Sequence, residues 1–251
     1  MGAQPKVTIV IPFFNDPYIT QAVDSALAQT YPNIEIIVVD DGSTKHAKLL
    51  APYAGRIHYL GKANGGTASA LNHGFRLASG EYIAWLSSDD YFHPEKIALQ
   101  VEAMERHGRM ISHTGFDLID ETGLVTVKGI IPPGREMAPF YRGFLNSNPV
   151  NGCTVMMSKQ LYRHIGPFDE KLLYTHDLDY WFRVILAGFP FLLLPEALTA
   201  YRRHSEMGSV RHRLAIQKEI AATNDNYASR YQSFLAVLGL TQSDRKTRGR
   251  I

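Results

Sequence analysis

Two short runs of acid side chains, Asp40-Asp41-Gly42-Ser43 and Ser87-Ser88-Asp89-Asp90, each set adjacent carboxylates behind an apolar stretch. Neighbouring carboxylates repel, and a divalent cation that prefers hard oxygen ligands, Mg2+ or Mn2+, neutralises them most simply. Such a cation would in turn hold an anionic substrate. Taken alone, each pair reads equally as a turn closed by an Asx hydrogen bond or as a helix cap; two of them together point to a shared site. Asn64-Gly65-Gly66 places small residues at a helix start, where free backbone N–H groups would face a phosphate, although a plain loop has the same composition. The G-x-G-x-x-G dinucleotide spacing is absent. Later in the chain Asp177 follows His176 at the start of a helical run. It would serve either to take a proton from an attacking hydroxyl or to complement the helix dipole. His176 reads as a tuning or substrate-binding imidazole, or as polar surface, and Trp85, Trp181 and Phe182 read as packing.

These residues need elements to bring them together. Val7 to Ile11 and Ile34 to Val39 are continuous apolar runs rich in β-branched residues, the pattern of strands buried on both faces of a parallel sheet. Between them Asp16 and Pro17 open a helix whose Ile19, Ala22, Val23, Ala26 and Leu27 share one face. Arg56 to Leu60 and Glu81 to Leu86 predict two more strands, the helix between them carrying Ala68, Leu71, Phe75 and Ala78. Pro94 begins a further helix that Gly108 stops. This alternation predicts a doubly wound α/β sheet with right-handed crossovers, and in such sheets ligands bind outside the carboxyl ends of the strands. Pro12-Phe13-Phe14-Asn15, Asp40-Asp41 and Asp89-Asp90 all fall at those ends.

The second half changes character. Met110 to Ile119 and Leu124 to Ile130 read as a hairpin, and an irregular loop begins at Pro132. Ser158 to Ile165 and His176 to Ala187 read as helices, Phe189 to Leu194 and Leu198 to Arg203 as strands. A long C-terminal helix carries Leu214, Ile220, Tyr227, Tyr231 and Leu235. The expectation is one unit over residues 1–251: a nucleotide-binding half at about 5–108, an acceptor-side half at about 109–204, and a C-terminal helix with a basic tail at about 205–251.

Composition is that of a soluble globular chain, 45% hydrophobic and 20% charged over 251 residues,. A formal charge of +2 argues against a broad nucleic-acid surface,. Apolar stretches fall well short of the roughly 18 to 20 residues that cross a bilayer. Cys153 is the only cysteine, which excludes an intramolecular disulfide and fits a reducing compartment, with the cytoplasm as the default. Arg245, Lys246, Arg248 and Arg250 crowd the C-terminus; such a tail is either a solvated end or a contact to anionic lipid at the inner face of the membrane.

In order along the chain, Val10 to Asn15, Ile36 to Thr44, Asn64-Gly65-Gly66 with Ala70 and Asn72, Gly80 to Ile83 leading to Asp89-Asp90, Gly166 to Glu170 and His176 to Arg183 resemble the family 2 glycosyltransferases of GT-A fold. The likeness covers most of residues 5–204. It implies a Rossmann-like, mainly parallel sheet with a mixed acceptor-side half. It implies an inverting transfer from a nucleoside diphosphate sugar, usually of UDP, to an acceptor hydroxyl on a saccharide or lipid-linked molecule. Carried over by position, Pro12, Phe13, Phe14 and Asp40 hold the base, with Asn15, Asn64, Gly65 and Ser88 as further contacts to the nucleotide sugar. Asp89 matches the metal-binding last residue of the D-x-D motif, Asp90 and His204 are further candidates for Mn2+ or Mg2+, and Asp177 matches the acceptor-side base. The motif's first Asp is Ser87 here, and Leu71 stands where relatives often carry Arg. Two other classes stay open: a sugar-nucleotide-forming nucleotidyltransferase, which would normally show a Gly-rich basic loop after strand one, and a non-catalytic nucleotide-sugar-binding protein. The transferase reading collapses if Asp40, Asp89 and Asp177 point into unrelated regions with no shared cavity.

Overall fold

The protein is described by a computed structural model over residues 4–134, 136–205 and 207–241. The basic tail at Arg245 to Arg250 lies outside these residues.

β1 (Val7–Phe13) is buried along its whole length, as its apolar run predicts. α1 (Ile19–Leu27) leads to β2 (Ile34–Asp40), β3 (His58–Gly61), α2 (Gly66–Leu77) and β4 (Tyr82–Trp85). These strands lie parallel in the order β3-β2-β1-β4. α2 packs close against β1 because residue 74 is glycine: a Cβ there would stand 2.4 Å from Cγ1 of Val10. α1 begins at Ile19, two residues after Pro17, and Asp16 does not cap it. Instead Asp16 Oδ1 accepts the Tyr18 N–H at 2.8 Å and Oδ2 the Ser88 hydroxyl at 2.7 Å, tying the end of β1 to the end of β4.

Beyond this half come β5 (Tyr91–Phe92), α3 (Lys96–His107), β6 (Ile111–Ile119) and β7 (Val125–Ile130). The β6–β7 hairpin is present, while the following loop contains a helix, α4 (Met137–Gly143). β8 (Met156–Ser158) joins the two halves of the sheet, antiparallel to both β4 and β6. α5 (Lys159–Ile165) and α6 (His176–Leu186) follow. The two predicted C-terminal strands form one, β9 (Leu192–Arg202), parallel to β6 and antiparallel to β5. α7 (Gly208–Arg211) and α8 (Arg213–Val237) close the described chain. The sheet is thus parallel through β4 and mixed thereafter.

Two apolar layers hold this arrangement. One packs α1 and α3 on one face of the sheet; the other packs α2, α5, α6 and α8 on the opposite face. Tyr227, Tyr231 and Leu235 bury one side of α8 against Phe182 and Phe144. At about 1.5–3 kcal/mol for each large apolar side chain buried, that stripe is enough to seat a helix. Leu214, expected on the same stripe, is 75% exposed, since the packed face begins a few turns further along. No helix among the described residues is long and apolar enough to cross a membrane.

Candidate active site

The carboxyl ends of β1, β2 and β4 open onto a cleft of about 810 Å3 that reaches the N-terminus of α6 and the first turn of α8. Pro12, Phe13, Phe14 and Asn15 form one wall. Phe14 is 51% exposed, and a half-exposed ring on a cleft wall is a stacking surface. Asn15 takes the left-handed backbone conformation (φ 53°) that Asn tolerates,. Its Oδ1 accepts the N–H groups of Thr44 and Lys45 at 2.8 and 2.7 Å, which locks the loop after β1 to the loop after β2.

At the end of β2 the structure corrects two expectations. Asp40 does not line the cleft: its carboxylate accepts the Ser43 N–H and the hydroxyl of Tyr59 on β3. Asp41 lines the cleft in its place. The backbone N–H groups of Gly65 and Gly66 do not await a phosphate either. Both donate to the Asp41 carboxylate, at 3.0 and 2.7 Å, and Lys62 Nζ donates to it at 2.6 Å. Asp41 therefore caps α2 from outside the helix, where a negative charge is favoured. Gly65 lies off the cleft, whereas Asn64, Gly66, Thr67 and Ala70 are on it. Leu71 is fully buried in the core and does not face the cleft.

Asp89, Ser88 and Ser87 line the cleft at the end of β4. Asp89 Oδ2 lies 3.2 Å from Nε2 of His204, which arrives from the end of β9, and this hydrogen bond pushes the imidazole pKa up. Asp16 faces the same space; burial and the nearby Asp89 push its carboxyl pKa up. Asp90 is not available as the second metal ligand. It is 1% exposed and turned into the protein, where Oδ1 accepts the Arg202 N–H at 2.8 Å. Burial, then Asp89, raises its pKa well above the carboxylate range. Among the described residues no group of three or more His, Cys, Asp or Glu is arranged to hold a metal ion. One carboxylate and one imidazole suit a cation that takes its remaining ligands from substrate oxygens.

Asp177 lies in the first turn of α6 and lines the same cleft. Leu178 N–H donates to its Oδ1 at 2.8 Å and Asn148 Nδ2 to its Oδ2 at 2.7 Å. Burial outweighs both and raises its pKa to about 6. His176 is not surface but 4% exposed, its ring 5.6 Å from that of Trp85, and burial lowers its pKa to about 4. Trp85 does more than pack, since its indole also lines the cleft; Gly152 leaves it room, as a Cβ there would fall 2.0 Å from Cζ3. Trp181 and Phe182 are buried in the core. The loop before α6 is held from α8: Glu219 accepts the N–H groups of Leu173, Tyr174 and Thr175 together with the Thr175 hydroxyl.

Thus Pro12, Phe13, Phe14, Asn15, Asn64, Ser88, Asp89, Asp177 and His204 share one cleft, and Asp40, Gly65 and Asp90 do not. Asp16, Asp41, Asn148 and Glu219 went unread as site residues. Asp41 was visible as half of an acidic pair, whereas Asn148 and Glu219 carry no local signal.

A parallel βα half joined to a mixed half through one cleft at the strand ends is the GT-A fold. The structure of S. aureus TarS crystallised with UDP-GlcNAc superposes with a TM-score of 0.69 at 19% identity, covering 92% of this chain and 71% of that one. The family described as Glycosyl transferase family 2 matches residues 8–166, and the chain belongs to that family. An uncharacterized glycosyltransferase of Rickettsia typhi is 42% identical over 187 residues, 72% of this chain and 59% of that protein. Another of Rickettsia felis is 36% identical over 92% of this chain but 38% of its own length, so the chain spans between about two fifths and three fifths of these two relatives. The putative teichuronic acid biosynthesis glycosyltransferase TuaG of Bacillus subtilis is 32% identical over 79% of each chain.

Proposed function

We propose that the chain transfers a glycosyl residue from a UDP-sugar to an acceptor hydroxyl, with inversion at the anomeric carbon. The observation that carries this reading is one cleft lined by Phe14, Asp89 and Asp177 together. Phe14 stacks on the nucleotide base, and the Asn15-pinned loop keeps that ring in place. Asp89 and His204 would hold a divalent cation, Mn2+ or Mg2+, which would supply neutralisation of the departing diphosphate. Asp177, fixed by Asn148 and Leu178, accepts the proton of the acceptor hydroxyl as its oxygen attacks the anomeric carbon and the bond to the diphosphate breaks. Its raised pKa makes it a better base than a free carboxylate while leaving it ionised at neutral pH,. Attack from the face opposite the leaving group inverts the centre.

The reading extends to a saccharide or lipid-linked acceptor and a cytoplasmic place of action, peripheral to the membrane; a role in polysaccharide synthesis has the support of the teichuronic acid relative. The nucleotidyltransferase reading loses support because the loop after β1, Pro12 to Asp16, has no glycine and no basic residue, and Asn15 ties it to the loop after β2. Thermal-shift titration with nucleotides and nucleotide sugars, with and without Mn2+, tests the donor half, because ligands that bind the folded state raise its stability. UDP and one UDP-sugar should stabilise the protein more with Mn2+, and Asp89→Ala should remove that increment. No stabilisation by any nucleotide would sink the proposal. A donor that binds but never yields free UDP, in the presence of any acceptor tried, would favour the binding-protein reading.

A further inference from the structure

Arg202, the last residue of β9, is fully buried, which is costly for a side chain that keeps its charge,. Its surroundings account for it. Nε donates to the Asp89 carbonyl at 2.8 Å, and Nη1 to the carbonyls of Asp120 and Glu121 at 2.9 and 3.2 Å in the β6–β7 turn. Nη2 donates to Oε1 of Gln21 on α1. The face of the guanidinium lies 4.2 Å from the centre of the Tyr18 ring, and that ring meets His204 edge-on at 5.4 Å. The main chain of the same residue donates to Asp90, so residue 202 and the acidic turn grip each other twice, once through backbone and once through side chain.

The two groups assigned above to the diphosphate end lie just beyond a pair of strands: Asp89 two residues before β5 and His204 two residues after β9. The β5–β9 ladder brings these turns together but stops at the Tyr91–Ala200 pair, short of both groups. Arg202 lies two residues before His204 and bonds the carbonyl of Asp89 itself. We infer that Arg202 is a positioning residue that fixes Asp89 against His204 and so sets the geometry in which the diphosphate and its cation are held. This rests on the proposed donor site. Only a planar fork reaches this set of acceptors, which lie on three different segments; a lysine ammonium would reach at most part of it. Asp90 belongs to this clamp, which explains an acid at the end of β4 that cannot touch substrate.

Isothermal titration of UDP in the presence of MnCl2 tests the inference without relying on turnover. Arg202→Lys should weaken UDP binding by tenfold or more, and a core variant of matched melting temperature such as Val101→Ala should bind as the wild type does. Gln21 is exposed, and Gln21→Leu removes one acceptor of the fork without threatening the fold; it should weaken binding about threefold and covers the case in which Arg202→Lys does not fold. Wild-type affinity in Arg202→Lys, or in Gln21→Leu if the lysine variant is unfolded, would overturn the inference. So would equal weakening by Val101→Ala, which would mark the effect as general destabilisation. If the wild type itself binds no UDP, the donor-site reading fails instead.

Discussion

The two sides of the cleft are built on different principles. On the β1–β4 side, each group sits at the carboxyl end of a parallel strand, and short loops tie neighbouring strand ends together through Asn15, Asp41 and Asp16. On the α6 side, Asp177 stands on a helix whose approach is set by groups from remote segments: Asn148 from the loop after α4 and Glu219 from α8. One side is placed by the sheet, the other by side chains reaching in. Apart from the Arg202 clamp, the first should therefore tolerate the loss of a single support, and the second should be sensitive to it. On the proposed function, the division also separates binding from chemistry.

Asp177→Asn gives the largest expected effect. Removing a general base typically costs about 10²- to 10⁴-fold in rate, and UDP affinity should stay within about twofold on the same grounds. The wild-type pH profile makes the same point: with a pKa of about 6, transfer should fall about tenfold per pH unit below that value as Asp177 is protonated,. Stability runs the other way. An acid whose pKa is higher in the folded state binds protons more tightly there, so the contribution of Asp177 to stability is greatest below about pH 4 and declines as pH rises through 6, on the order of 3 kcal/mol in all,. Melting curves between pH 4 and 7 should show that decline in the wild type and lose it in Asp177→Asn. Donor affinity that changes as much as turnover would dissolve the distinction between the two sides.

Glu219→Ala comes next. It frees four donors that order the chain before Asp177, and kcat should fall about tenfold, the scale of one misplaced catalytic group, while the Kd for UDP is unchanged. A fall in UDP affinity instead would mean that α8 supports the donor side. Phe14→Ala should weaken UDP by roughly 1–3 kcal/mol, the usual worth of a base stacked on an aromatic ring, with kcat at saturating donor preserved. If kcat falls as well, the ring acts on the transferred sugar and not on the base.

The same division explains what could be read from residues in order. The strand–helix alternation of the first hundred residues, and the strand-end location of Pro12 to Asn15 and Asp89, follow from local periodicity. Asp177 was legible only through its place at a helix start and a family likeness. What was missed depends on the direction of one side chain. Of two adjacent acids at a strand end, one faces the cleft and the other the neighbouring structure, and periodicity does not say which. Asp40 turns to Tyr59 and Asp90 to Arg202, and in both pairs the partner lies 19 or more positions away. The α2 glycines were misread for a related reason, since their N–H groups look free until Asp41 is seen to reach them.

Asp90 carries the smallest expected effect and the sharpest contrast within one pair. Were it a metal ligand, Asp90→Asn would cost as much donor affinity as Asp89→Ala. Buried and bonded to the Arg202 N–H through a single oxygen, it can be replaced by an amide that offers the same oxygen, and UDP affinity should remain within about threefold. Asp90→Ala should do worse than Asp90→Asn in melting temperature, because the N–H then has no acceptor, and a buried donor left unpaired costs about 1–3 kcal/mol. Measured side by side with Asp89→Ala, the two variants separate what faces the cleft from what holds it: affinity should track residue 89, and stability residue 90. An asparagine at 90 that abolished Mn2+-supported UDP binding would return that carboxylate to the cleft and undo the clamp around Arg202.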